Sequence, residues 1–432
     1  MPQTESPDFD SPSYRQSRRA YAAQCTLEYL VSLLVADAFL AKLLNRLGLD
    51  DATVGIISSL VSLSFLIQLL SLFLYRLNWN AKKLVLVFYP ISQLLLSSVY
   101  LIPFLPIRGT AVKVTVMACI LTAYVFQYLV YNVIFRWANS FVSPAHRASF
   151  SAAKEIVSLA SGIVFTAVVG LAFDKFEAAG KLREGFLLLA VLAFVLSAAN
   201  IFCVCRIRRE EPQGRCGSGK TFREILSGTV GNRNFRSVIL LTAIWETAKY
   251  MTVGFLGIYK TGDLMMTVFA VQVINIAANV VRMLVSRPFG KFSDKYSFAA
   301  GMALALSFAA TAFLVNSFTT PATRWLIAVY AVLYAVALAG LNQNAFNITY
   351  SYVASDYITE AMAIKNCFGG LCGFGASLLG GGLLRTVQAN GNRLFGITVY
   401  GQQLLSGISF CLTVVALLLT VFVVGRQKRL VQ

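Results

Sequence analysis

The chain has 432 residues, 57% of them hydrophobic and 13% charged, with 37 Lys and Arg against 19 Asp and Glu. Most of it falls in apolar runs of about twenty residues, the length that crosses a hydrocarbon core as a helix, and what remains is too short for a sizeable soluble domain. The formal charge of +18 fits a basic face set against anionic lipid headgroups and requires no nucleic-acid partner.

In chain order, residues 1–22 are polar, carry Pro and Ser, lack the apolar core of a secretory signal, and read as a disordered cytoplasmic tail. Apolar segments follow at 24–46, 53–75, 84–105, 111–135, 155–174 and 185–205, which together make a first bundle over 23–205. A basic polar linker over 206–235 separates them from segments at 236–258, 264–286, 298–317, 325–348, 364–387 and 399–425, a second bundle over 236–425, with a tail at 426–432. The expectation is an all-α polytopic membrane protein, about twelve transmembrane helices in two pseudo-symmetric six-helix bundles. Lys and Arg beside a span resist translocation. With both termini cytoplasmic, roughly 24 of them lie inside and roughly 11 outside, so that orientation in the cell membrane is preferred.

The linker contains Gly214-Arg215-Cys216-Gly217-Ser218-Gly219-Lys220-Thr221, which satisfies the phosphate-binding pattern G-x4-G-K-T. That pattern binds phosphate when an apolar strand delivers it and a helix starts at its Lys. Here basic residues and Pro212 precede it, so it reads as a flexible connector and no nucleotide is expected. The eight cysteines are scattered and His146 is the sole histidine, so neither disulfide, metal site nor cofactor is expected.

The two bundles carry similar polar residues at a near-constant offset. Tyr128, Asn132 and Phe135 are spaced i, i+4, i+7, as are Gln343, Asn347 and Tyr350, with Gln127 corresponding to Asn342. Arg18 and Glu28 stand ten apart, as do Arg236 and Glu246. Parallel repeats of six helices are a transporter architecture whose site lies where the halves meet.

Polar residues inside the membrane are the candidates for solute contact, since each is costly unless paired or facing water. Gln272, Asn275, Asn279 and Arg282 share one helical face, which lines either a hydrophilic cavity or an inter-helix hydrogen-bond seam; the cavity is the expected alternative. Glu246 precedes Lys249 by three residues, the spacing of an intrahelical ion pair. Glu28 has no equivalent Lys, which makes Glu28, with Glu246 and Lys249, the candidate proton-coupling set. Asp37 lies nearly opposite Glu28 on the helix and is free to pair with a neighbour.

The layout resembles the major facilitator superfamily over about residues 20–425. Gly290-Lys291-Phe292-Ser293-Asp294-Lys295-Tyr296-Ser297 is similar to that family's loop motif between the second and third helices of a half; the first-half counterpart, around Asn78 and Ala81, is eroded. Pro144 and Arg147 match its Pro-x-x-Arg after the fourth helix. The resemblance implies that Asp294 pairs near Arg147 to hold one conformational state, with Arg282 as a further gating candidate at its end of the cavity.

The sequence therefore implies a monomeric, non-enzymatic secondary transporter that carries a small polar solute by alternating access, plausibly as a proton symporter. Its site would be lined by Gln127, Tyr128, Asn132, Gln272, Asn275, Asn279, Asn342, Gln343 and Asn347. A proton-driven drug or metabolite exporter is the alternative within the family; a channel or non-transporting receptor is a distant one.

Overall fold

A computed structural model describes residues 11–68, 81–142, 147–207, 231–352, 358–394 and 397–426. The linker motif at 214–221, the eroded motif near Asn78, and the side chains of Asn132 and Arg147 lie outside the described residues.

The first half contains α1 (Pro12–Leu34), α2 (Asp37–Arg46), α3 (Asp51–Ser58), α4 (Leu60–Ser64), α5 (Ala81–Ser98), α6 (Thr110–Ser140), α7 (Arg147–Ala178) and α8 (Leu182–Arg206). The second contains α9 (Arg233–Thr252), α10 (Leu256–Thr261), α11 (Val268–Lys295), α12 (Phe298–Ser317), α13 (Leu326–Tyr352), α14 (Ile358–Ala389) and α15 (Gly401–Phe422). Between α14 and α15, β1 (Arg393–Leu394) pairs antiparallel with β2 (Ile397–Thr398). Among the described residues nine helices are long and apolar enough to cross a membrane. The other three expected crossings, the first, second and seventh, are built from the shorter pieces α1/α2, α3/α4 and α9/α10.

Those interruptions have local causes. After α1, Ala36 is extended (φ −145°, ψ 168°) and Asp37 opens α2 in the left-handed region at φ 44°. Asp tolerates that region better than most L residues. The seventh crossing changes to a 3-10 turn at Val253–Phe255 before α10 resumes. The breaks at Val35 and Val253 stand 218 residues apart (253 − 35), the offset of the sequence repeat. Helix starts are fixed by side-chain caps: Asp50 accepts from the Thr53 amide, Thr267 from Ala270, and Ser297 from Ala300.

Two boundaries differ from expectation. Helix α1 begins at Pro12, so residues 12–22 are not tail. Pro at the first helical position is pre-set for the turn, and Tyr14, Ser17 and Tyr21 bury one face at i, i+3, i+7. Tyr21 meets the Phe141 ring edge-on at 6.0 Å, and the Arg18 Nη1 donates to the Phe141 carbonyl at 3.1 Å. The family-like loop at 290–297 is mostly helix, because α11 runs through Lys295 and leaves only Tyr296 and Ser297 as connector.

In each half the helices pack around an apolar core. In the first, α1 packs on α7 and α8; in the second, α9 packs on α14 and α15, and α12 on α13. The halves meet along α7 with α11, and along α3 and α4 with α14. At the end away from the chain termini, the α9/α10 break packs on α2 and α3, and one core cluster crosses the boundary through Phe39, Val54, Phe255, Ile258 and Leu384.

Glycine permits this approach. A Cβ on Gly257 would lie 2.7 Å from the Asp37 carbonyl oxygen and 3.1 Å from its Cα. Backbone cannot swing away as a side chain can. Gly257→Val should therefore lower the melting midpoint of the purified protein, by the equivalent of about 1–3 kcal/mol for overpacking. Gly375→Ala, whose added Cβ meets nothing within 4 Å, should leave it unchanged. Equal midpoints for the two variants would show that the α2–α10 contact is not tight.

Candidate functional site

The first-half site is built on Glu28, midway along α1. Its carboxylate accepts hydrogen bonds from Gln24 and Gln127, and from the Tyr89 hydroxyl at 3.1 Å. Gln24 is one turn away on the same face, Tyr89 comes from α5 and Gln127 from α6, so three helices converge. The network continues because the Gln24 amide also donates to the Tyr89 oxygen at 2.8 Å, and Tyr89 lies 3.1 Å from Asn200 Oδ1 as an alternative acceptor. Asn200 in turn donates to Gln93 at 3.1 Å. Beside Glu28 is a cavity of about 60 Å³, lined also by Lys154, Tyr131 and Cys25. Several waters fit in that volume.

Three donors suit an ionised carboxylate, which only accepts. A protonated Glu28 must itself donate, and Gln127 Oε1 is buried without a partner among the described residues. A flip of the Gln127 amide would present that oxygen to a Glu28 hydroxyl. The network can therefore satisfy either protonation state by rotating one side chain.

The second-half site is the expected pair. Lys249 Nζ lies 3.0 Å from Glu246 Oε2 on α9, and 4.6 Å from the centroid of the Tyr250 ring. Tyr334 of α13 lies near the pair, and Tyr124 and Tyr128 of α6 lie near Tyr250, so tyrosines from both halves surround this region. Tyr128 also packs edge-on against Phe65 at 5.0 Å. Sequence reasoning missed Lys365 of α14. It is buried, donates to the Ala345 carbonyl at 3.3 Å, and is close enough for the Glu246 charge to act on it.

The α11 stripe is on the seam between the halves. Gln272 is buried against Gly170 of α7, Asn275 donates to Asp37 Oδ2 at 2.8 Å, Asn279 meets the Tyr29 hydroxyl, and Arg282 reaches Glu155 at 3.4 Å. Every member thus contacts the first half, and of the two sequence alternatives the seam is the one observed. Asp37 also holds Lys260 Nζ at 3.1 Å, an ion pair between α2 and α10. Asp174 caps the start of α11, accepting from the Val268 and Phe269 amides at 3.1 and 2.8 Å.

The remaining expected residues are more dispersed. Asn342 is exposed, Gln343 donates to the Ser286 carbonyl at 3.3 Å, and the Asn347 carbonyl accepts from Ser351 at 3.0 Å. Among the described residues Asp294 is exposed, with no hydrogen-bond or ion-pair partner; its expected partner Arg147 has no described side chain. Asn344, next to Gln343 in the chain and absent from the sequence-based set, is buried and donates to the Gly340 carbonyl at 2.8 Å.

A second layer of cross-half bonds closes the end away from the termini. Arg385 Nε donates to Asp50 at 2.9 Å, and Gln388 donates to Asp51 at 2.6 Å. Burial tends to raise the Asp50 carboxyl, but hydrogen bonds from Arg385 and Thr53 outweigh it and hold the group at about 2. Nearby, in the α10–α11 connection, Asp263 is pushed up to about 6 by burial and by the charge of Asp51.

No protein-family model and no curated protein sequence matches the chain. Its fold is that of several solved membrane transporters. A variant of the nucleoside transporter NupG superposes with a TM-score of 0.72 at 12% identity, covering 94% of this chain and 98% of that one. A bacterial homologue of the lysosomal transporter Spinster, in an inward-facing and unoccupied conformation, gives 0.68 at 13% identity, covering 95% and 97%. A bacterial homologue of the iron transporter ferroportin gives 0.64 at 13% identity inward-facing, covering 95% and 98%, and 0.56 at 12% outward-facing, covering 95% and 99%. The chain is thus a multi-pass membrane protein of transporter fold, with its polar groups concentrated within and between two six-helix halves.

Two outcomes follow from this geometry. Removing one member of a desolvated ion pair strands the other, whereas removing both does not. Lys249→Met should therefore lower the melting midpoint more than the double change Glu246→Gln with Lys249→Met; a double variant no more stable than the single one would show that Glu246 has another counter-charge. For Asp263, a folded pKa of about 6 against the ordinary carboxylate value means that its ionisation opposes folding. That penalty is complete above about pH 6 and fades as pH falls toward 4. Asp263→Asn should raise the melting midpoint at pH 7.5 and change it little at pH 4, which a pH series of thermal melts would check.

Proposed function

We propose that the chain is a secondary active transporter moving a small polar solute by alternating access, with Glu28 as the proton-carrying group of a symport cycle. The observation that carries this reading is the distribution of cross-half bonds. Asp37–Lys260–Asn275, Asp50–Arg385 and Asp51–Gln388 gather at the end away from the termini. Toward the terminal end, the described cross-half bonds are Arg282–Glu155 and Asn366–Gln68, at intermediate depth. A structure closed at one end and, among its described residues, less bonded at the other fits one state of a rocking pair.

The positive-inside bias assigns the terminal end to the cytoplasm, so this state is inward-facing. The better superposition on the inward-facing ferroportin homologue, 0.64 against 0.56 for the outward-facing form, supports the same assignment. The solute site lies between the Glu28 cradle and the Glu246–Lys249 pair. Amides at Gln127 and Gln343, with tyrosines from both halves, favour a hydroxylated or amide-bearing organic solute, and the ring faces can stack a planar group. The nucleoside carried by NupG is one such chemistry.

In the cycle, Glu28 takes a proton when its cavity is hydrated, and the Gln127 flip compensates the change of donor to acceptor. Breaking the Asp37–Lys260 pair then accompanies opening of the outer end. A thermal-shift screen of purified protein with nucleosides, sugars, amino acids and organic acids should find a stabilising solute. In liposomes that solute should drive internal acidification, and Glu28→Gln should abolish the acidification while preserving solute binding. Solute uptake with unaltered proton flux in Glu28→Gln would remove Glu28 from coupling. Downhill flux that never saturates with solute would indicate a channel instead.

A further inference from the structure

The second half holds a buried charge that the proton cycle leaves unused. Lys365 stands two turns inside α14, with 5% of its surface exposed. Its ammonium carries three donors, and among the described residues the Ala345 carbonyl of α13, at 3.3 Å, is its one hydrogen-bond acceptor. That oxygen already accepts from the Thr349 hydroxyl at 3.0 Å inside α13, which makes it a weak and replaceable partner for a cation.

Packing places the lysine at the centre of the second-half site. Gly369, one turn along the same face of α14, lets that helix close on α9: a Cβ there would lie 3.0 Å from Thr242 Cγ2 and 3.1 Å from Glu246 Cγ. On the adjoining face, a Cβ on Gly370 would collide with the Ser62 carbonyl of the first half, and Asn366 donates to Gln68 at 3.1 Å. Lys365 is thus held beside Glu246 on a helix that borders both halves. Among the described residues one carboxylate, Glu246, stands near two lysines, and Lys249 takes it at 3.0 Å. A desolvated ammonium with only a backbone oxygen calls for a negative charge of its own.

We propose that Lys365 is the anion-binding residue of the solute site, taking the carboxylate of a small organic acid in exchange for the Ala345 carbonyl while the Glu246–Lys249 pair stays intact. The proposal rests on the transport reading for the position of the solute and adds its charge. One cation matches the single charge of a carboxylate better than the nearly double charge of a phosphate monoester. Ala345 is half-buried, and the flexible four-carbon stem lets the ammonium turn from it without moving either helix. Gln343, two residues earlier on α13, and the tyrosines around Tyr250 serve the rest of a planar, hydroxylated or amide-bearing acid.

The test uses the full-length protein in neutral detergent with two matched pairs of probes, nicotinate with nicotinamide and 4-hydroxybenzoate with 4-hydroxybenzamide. Binding is read as the shift of each variant's own melting midpoint. The acid of a pair should bind about tenfold or more tightly than its amide, the scale of a charge-assisted hydrogen bond. Lys365→Met should bring acid and amide to equal affinity, and Lys365→Arg, which keeps the charge, should restore part of the preference. If Lys365→Met does not fold, Lys365→Gln takes its place with the same expected result. A panel in which no acid binds, or in which the amides bind as tightly, would overturn the proposal. So would an acid preference that persists in Lys365→Met, including one that is lost only in Lys249→Met. A shift from inorganic phosphate or chloride equal to that from the acids would mean an adventitious ion only, and would overturn it too. Liposomes separate this proposal from the transport reading. Lys365-dependent acid binding without uptake would uphold the site and remove the transporter, whereas saturable uptake of neutral solutes alone would uphold the transporter and overturn the site.

Discussion

An apolar bilayer supplies no water to satisfy a buried polar group, so every charge that the helices carry inward must find its partner on another helix or another turn. Most of the structure's organisation follows from where those partners are. Asp37 shows the consequence most fully. Its carboxylate holds Lys260 and Asn275 from two helices of the opposite half, and its backbone is in the left-handed region that interrupts the first crossing. Gly257 leaves room for that backbone, so the break, the ion pair and the close approach of α2 and α10 are one construction.

The two halves share a plan and differ in how they connect. Lys42 and Lys260 occupy equivalent positions, 218 residues apart (260 − 42), just beyond equivalent breaks. Lys42 pairs with Glu177 of its own half at 2.6 Å, whereas Lys260 crosses to Asp37. The same divergence appears at the acidic residues deeper in each bundle. Glu28 is cradled by neutral amides and a tyrosine, while Glu246 carries an ion pair on its own helix. Each acidic residue also has a lysine near it: Lys154 lines the cavity beside Glu28, and Lys249 is in direct contact with Glu246.

Much of the fold was legible because the hydrophobic segments are long and the polar residues few, and each of the twelve expected segments overlaps described helical structure. Boundaries were less so, and their errors hid functional residues. The eleventh segment was placed from residue 364, which made Lys365 a residue of the membrane surface; α14 begins at Ile358, so Lys365 lies two turns inside and is buried. Similarly, polar composition marked residues 1–22 as tail and left Arg15 and Arg19 without a structural setting, although Tyr14, Ser17 and Tyr21 already carried a helical period. The Glu246–Lys249 pair was legible because both partners are on one helix. The Asp37–Lys260 and Glu28–Gln127 contacts join residues 223 and 99 positions apart, a separation across which one sequence gives no pairing signal.

The α11 stripe shows why a polar face cannot by itself be assigned to solute. Four polar residues on one face need four satisfied environments: the first half supplies three of them through Asp37, Tyr29 and Glu155, while Gln272 packs against Gly170 and accepts from Asn275 on its own helix at 3.4 Å. Those contacts hold only while the halves are in this arrangement. Were the outer end to open, Asn275 and Gln272 would separate from α2 and α7 and become available to water or solute, and seam and cavity would be successive roles of the same residues. The energetic requirement is that solute or water replace, in one state, the hydrogen bonds that the first half supplies in the other. A fold built this way would couple solute contact to movement of the halves through the polar groups that would otherwise be left unsatisfied.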